Sequence, residues 1–158
     1  MSQIVGKQLT EELFHRLKGD SMASKTDKAI VIVTVDEAGW PHPAMLSYYE
    51  VVAKDRSTID LAIGKTSVTA KNLRRAGKIA LLITDSDVNY YVKGTAREIR
   101  ASMEDAPVMS LFRVAVEHLL EDLDPDAVIT SGVTFERTEK KEIAEMVEKI
   151  FHSVRREP

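Results

Sequence analysis

Cysteine is absent from the 158-residue chain, which excludes disulfides, thiol catalysis and cysteine-based metal sites and fits a reducing compartment. No apolar run is long enough to span a membrane and the N-terminus has no signal-peptide core, so a cytoplasmic location is expected. No charge of one sign dominates: 22 basic and 25 acidic residues are interleaved without a block of like charge, and nothing favours nucleic acid as a partner. Walker A, G-x-G-x-x-G and G-x-S-x-G motifs are missing. His15, His42, His118 and His152 show no ligand spacing, so no metal is expected. These absences leave an ordinary globular composition, 44% hydrophobic and 30% charged, with the length of one domain over residues 1–158.

The most informative stretch is TIDLAIGKTSVTAKNLRR, Thr58 to Arg75. Ile59, Leu61 and Ile63 alternate with Thr58, Asp60 and Ala62, the period of a half-buried strand. Gly64 breaks it. Ser67 is a good N-cap for a helix over Val68 to Ala76, closed by Gly77. Backbone N–H groups at such a helix start have no partners and sit at the positive end of the helix dipole, which suits an anion, most often a phosphate. Lys65, Ser67, Thr69 and Asn72 add a charge, hydroxyls and an amide there, and Thr69 and Asn72 share a helix face. On this stretch alone, an ordinary strand–turn–helix with a solvated polar face is the simpler reading of the same residues.

Elsewhere, Thr10-Glu11-Glu12 looks like a helix start, with Leu13, Phe14 and Leu17 as its apolar stripe. Ala29 to Val35 is almost continuously apolar and β-branched, a strand expected to be buried on both faces. Asp36 to Gly39 is a hairpin turn, and the return strand is expected over His42 to Ala53, its first part held at an edge by Pro41 and Pro43. Lys78 to Thr84 and Asn89 to Ile99 read as further strands. Apolar residues spaced three and four apart predict an amphipathic helix over Met103 to Leu123, stopped by Pro125. Alternation predicts a sixth strand over Ala127 to Arg137, and Glu139 to Val154 a last helix. Six strands with short turns and peripheral helices point to a mainly β, small antiparallel barrel, since most loops are too short for parallel crossovers.

Thr34-Val35-Asp36 followed by Gly39-Trp40-Pro41-His42-Pro43, then Ile63 to Leu73, Ile79 to Thr84, and Val92-Lys93-Gly94-Thr95-Ala96-Arg97 resemble, in order and spacing, the pyridoxamine 5′-phosphate oxidase-like flavoproteins. The likeness covers about Ala29 to Ile99. It implies the six-stranded FMN-binding split β-barrel and a homodimer with FMN at the subunit interface. By position, Ala44, Met45, Leu46 and Ser47 would run along the flavin and its ribityl chain, with Ala62 and Ile63 beneath. Lys65, Ser67, Val68, Thr69 and Asn72 would hold the phosphate, and Asn89 falls where relatives place an amide reaching the flavin. Two departures stand out: Ala44 replaces an arginine, and Val68-Thr69 replace an Arg-Lys pair, so charge-assisted phosphate contacts give way to neutral ones.

The resemblance implies an FMN-dependent oxidoreductase of unknown substrate. A flavin storage or electron-carrier protein, or a haem- or deazaflavin-binding relative on the same fold, are the alternatives. The region after Pro125 lacks the arginine-bearing strand with which true pyridoxamine phosphate oxidases resemble one another; Arg137 is the only arginine in its expected strand.

Overall fold

The computed structural model describes residues 1–138 and 140–158, so the first residue of the expected last helix, Glu139, lies outside the described residues. One antiparallel sheet carries the whole fold. Its strands are β1 (Gln3–Gly6), β2 (Ala29–Val35), β3 (Pro41–Ser47), β4 (Val51–Asp55), β5 (Thr58–Gly64), β6 (Lys78–Asp85), β7 (Val88–Arg100) and β8 (Met109–Glu121). Along the sheet they run β3-β2-β6-β7-β8-β5-β4, with β1 added to β8. The two end strands, β3 and β4, are consecutive in the chain and joined by a single 3-10 turn, Tyr48–Glu50, so the sheet must curl to bring its edges together. This is the split barrel expected, with eight strands among the described residues instead of six.

The expected return strand thus breaks in two. Ser47 and Glu50 form a capping box, the Ser47 amide and hydroxyl both donating to Glu50 Oε2 at 2.7 and 2.9 Å. That turn redirects the chain from β2, the partner of β3, to β5, the partner of β4.

The expected helix over 103–123 is also corrected: Met109–Glu121 is a strand paired with β7, β5 and β1. Over its first four residues both faces are buried, Phe112 inside the barrel and Met109 and Leu111 on the outside; further on Arg113, Ala115 and Glu117 leave the outer face partly open, and a register shift near Gly94 changes the alternation before Leu119. Two-sided burial erased the period of two and left a spurious helical one. Ala127 to Arg137 is not a strand. It is irregular, tied down by Asp87 N–H to Ile129 O (3.0 Å), Ala29 N–H to Val133 O (2.9 Å) and Phe135 N–H to Asp27 O (2.9 Å).

The helices α1 (Glu11–Leu17), α2 (Val68–Ala76) and α3 (Lys141–Arg156) surround the sheet. The barrel interior holds Ile30, Ile32, Leu61, Leu81, Val92 and Phe112, joined by Leu13 and Leu17 of α1. A second cluster lies outside, where Ile150, Phe151 and Val154 of α3 cover Val52, Ala62 and Leu111. Over β2 and β3 the outer face is left open: Val31 and Val33 are half-buried, and Val35 and Met45 exposed. β2 is therefore buried on one face of this chain, not on both.

Asp85 ties α1 and the β6–β7 turn to the start of β2. Arg16 Nη1 donates to it at 2.8 Å, Lys28 Nζ at 2.6 Å and the Ser86 amide at 2.8 Å. Burial pushes the Asp85 carboxyl up, but Lys28, the Ser86 amide and Arg16 outweigh it and hold it at about 2. A carboxyl whose folded pKa lies below its unfolded value stabilises the fold above that unfolded value and loses the effect as pH falls. About 2 kcal/mol should therefore disappear between about pH 5 and pH 2. Urea midpoints of Asp85→Asn should be lower than wild type at pH 7 and converge with it at pH 2; parallel curves would refute this role.

Candidate functional site

The start of α2 is built as its sequence requires. Ser67 N–H donates to Gly64 O at 2.9 Å, Ser67 Oγ accepts the Ala70 amide at 3.1 Å, and the Lys71 amide returns to Ser67 O at 3.1 Å. The amides of Val68 and Thr69, in the first helical turn, have no acceptor within the helix. At the other end Gly77 takes φ 67°, where a Cβ would press on Ala96 O, and closes the helix through Leu73 O.

The turn before the helix is fixed from behind. Arg74 Nη1 donates to Lys65 O at 2.8 Å while the same guanidinium pairs with Glu98 at 2.5 Å and reaches Ser110 Oγ at 3.0 Å. Arg74 is thereby neutralised. Lys65 and Lys71 flank the helix start, and neither has a carboxylate partner among the described residues. Val68 is 47% exposed, so the helix start opens to solvent.

Two residues expected at the phosphate face elsewhere. Asn72 is buried and its Nδ2 donates to Thr34 Oγ1 at 3.0 Å, pinning α2 to β2; Thr69 is buried as well. The shared face of Thr69 and Asn72 points into the protein, leaving Lys65, the Ser67 cap and the backbone of Val68 and Thr69 at the helix start.

The residues expected along the flavin separate similarly. Met45 is 66% exposed and Ala44 half-buried, whereas Leu46 and Ser47 are buried. Ala62 and Ile63 are closed off, Ala62 beneath α3 and Ile63 in the barrel core. Asn89 belongs to the far hairpin of β6 and β7. Its Nδ2 donates to Tyr91 Oη (3.1 Å) and Asp122 O (3.0 Å), and its Oδ1 accepts from Thr84 Oγ1 (2.8 Å), so the amide is fully engaged.

Met45, Leu46 and Ser47 do meet in one place, a cleft of 330 Å³ between β3, the irregular segment around Phe135 and α3. Glu50, Tyr49 and Arg137 line it too. Burial raises the Glu50 carboxyl, opposed by the two Ser47 donors and by Arg137. Sequence reasoning passes over Glu50, although the Ser-x-x-Glu spacing from Ser47 is a signal that points to it. Arg137 carried no such signal, because the segment holding it has no regular structure.

A family model described as pyridoxamine 5′-phosphate oxidase matches residues 23–141, and the chain belongs to that family. It is 29% identical over 148 residues to Uncharacterized protein YclD of Bacillus subtilis, spanning 94% of this chain and 96% of that one. Among solved structures it is similar to a candidate pyridoxamine 5′-phosphate oxidase of Lactobacillus delbrueckii (TM-score 0.60, 20% identity, 75% of this chain and 98% of the other). An FMN-binding protein of Syntrophomonas wolfei gives TM-score 0.52 at 18% identity, over 72% and 91%. The haem storage protein HutZ of Vibrio cholerae gives 0.50 at 12%, over 71% and 93%. At these identities the structures share the fold.

Proposed function

We propose that this chain is an FMN-binding protein of the family, acting as an oxidoreductase on a substrate the sequence does not name. The observation that carries the reading is the α2 start: two unpartnered amides, Lys65 and Lys71 without carboxylate partners among the described residues, and a turn locked by Arg74. That set fits a phosphate monoester. Exposed Met45 on the outer face of β3 gives a flavin an apolar side chain to lie against, while Ala44 packs inward against the barrel core. The bound flavin would supply hydride and electron chemistry; the chain supplies binding and orientation. The side chains of Ala62, Ile63, Thr69, Asn72 and Asn89 act as supports in this reading, not as ligands.

The proposal includes a C₂ dimer. Val31, Val33, Val35, Pro43 and Met45 form an apolar outer face that α3 does not cover, and an isologous partner would bury it. A cytoplasmic location belongs to the proposal as well, supported by the absence of cysteine; among the described residues no helix is long and apolar enough to cross a membrane. The chain is not read as an oxidase of pyridoxamine 5′-phosphate, and turnover to pyridoxal 5′-phosphate at about 1 per second or faster would overturn that.

The test is an absorption spectrum recorded on the purified protein as it elutes past a light-scattering detector. A flavin spectrum on a dimer is expected. A haem or deazaflavin spectrum, or a flavin-loaded monomer at micromolar concentration, would refute the corresponding part.

A further inference from the structure

The cleft against α3 contains an arginine held by aromatic rings, with no carboxylate hydrogen-bonded to it among the described residues. The Arg137 guanidinium carbon lies 4.9 Å from the Phe135 ring centroid and 5.4 Å from that of Tyr49. Stacking on ring faces holds a guanidinium without using its N–H groups, which point outward in its plane. Its Nε is buried and has no hydrogen-bond partner among the described residues. Such a donor is costly unless an acceptor arrives. Glu50, the neighbouring carboxylate, accepts both Ser47 donors on Oε2 and feels the charge of Arg137 without being hydrogen-bonded to it among the described residues. Around this cation the walls are apolar: Leu46, Val133, Ile143, Val147 and Ile150.

A cleft of 330 Å³ with apolar walls and one positioned cation has the makings of a small-molecule site. A planar carboxylate matches the guanidinium fork, and the Glu50 carboxyl in the same cleft disfavours a dianion such as a phosphate monoester. We propose that this cleft binds a small apolar monocarboxylic acid, its carboxylate on Arg137 and its hydrocarbon part against Leu46, Val147 and Ile150. The site does not depend on the flavin reading, although Met45 to Ser47 adjoin both.

Calorimetric titration of the flavin-free protein with 4-phenylbutyrate, and with 4-phenylbutan-1-ol as its uncharged counterpart, tests this. The acid should bind at least about tenfold more tightly than the alcohol, the effect of a charge-assisted hydrogen bond. Arg137→Met, which keeps the apolar contact with the two rings, should erase that preference without changing the melting temperature. Val147→Trp should block both compounds by filling the cleft. Equal binding of acid and alcohol, no acid binding at millimolar concentration, or an unchanged preference in Arg137→Met overturns the proposal. Displacement of the acid by saturating FMN would make the cleft part of the flavin site and overturn it as a separate one. A shift of Arg137→Met from dimer to monomer with unchanged acid affinity would identify a second copy of the chain as the occupant, with the same consequence.

Discussion

Ser67→Asp is expected to weaken FMN binding by at least about 100-fold while leaving the fold intact. Aspartate caps helices as well as serine does, so the bond now made to the Ala70 amide has a substitute and α2 should survive. The new carboxylate would stand beside the Val68 and Thr69 amides, where the phosphate is proposed to sit. Like charges placed together cost several kcal/mol, which is a factor of 100 or more in affinity. Ser67→Ala provides the contrast: it loses the cap, costing about 1 kcal/mol of stability, but adds no repulsion. Flavin-fluorescence titrations of the three proteins, with circular-dichroism melts alongside, give the comparison. An unchanged FMN affinity in Ser67→Asp would put the phosphate somewhere other than the α2 start.

The largest loss of stability is expected from Arg113→Met. Asp60 has no exposure at all, and its two carboxylate oxygens accept from Arg113 Nε and Nη2, each at 2.8 Å. The same Nη2 donates to Pro158 O at 2.7 Å, so the guanidinium also anchors the end of the chain beyond α3. The pair lies on the outer face of β5 and β8, in register with one another. Removing the arginine leaves a buried carboxylate without its counter-charge, a defect of about 3–5 kcal/mol. The double variant Asp60→Leu/Arg113→Met should recover most of that loss, because neither charge then remains to be desolvated. Urea unfolding with an unchanged m-value measures both. A loss below about 1 kcal/mol in Arg113→Met would mean that water reaches Asp60 once the arginine is gone.

How much of this was legible in the sequence depends on how local the cause is. The α2 unit is set by neighbours in the chain: Gly64 to end a strand, Ser67 to cap, Gly77 to turn left-handed. Those signals need no tertiary context, and the helix lies where they put it, Val68 to Ala76. The order of short strands and turns likewise sufficed for the antiparallel barrel. The strand Met109–Glu121 reads as a helix because two different layers bury the two faces of its first four residues, the barrel core on one side and the α3 cluster on the other. The half covered twice hides its period, and the shift near Gly94 breaks the alternation that Arg113, Ala115 and Glu117 begin in the other half. Val128, at 72% exposure, shows the opposite failure: an alternating pattern in a segment that forms no ladder. Thr69 and Asn72 were correctly placed on one helix face, but which way that face points depends on Thr34, more than thirty residues earlier in the chain. Arg137 was visible only as a residue in an expected strand, because its position between Tyr49 and Phe135 is a product of the tertiary fold.

Under the proposed function, the helix start of α2 holds the phosphate of a flavin. This is tested most directly by titrating the purified, flavin-free protein with FMN and with riboflavin, which differ only in that phosphate. Charge-assisted hydrogen bonds from the free amides and Lys65 contribute about 1.5–3 kcal/mol each, so FMN should bind at least about 100-fold more tightly than riboflavin. Equal affinities for the two, or no binding of FMN at micromolar concentration, would contradict it.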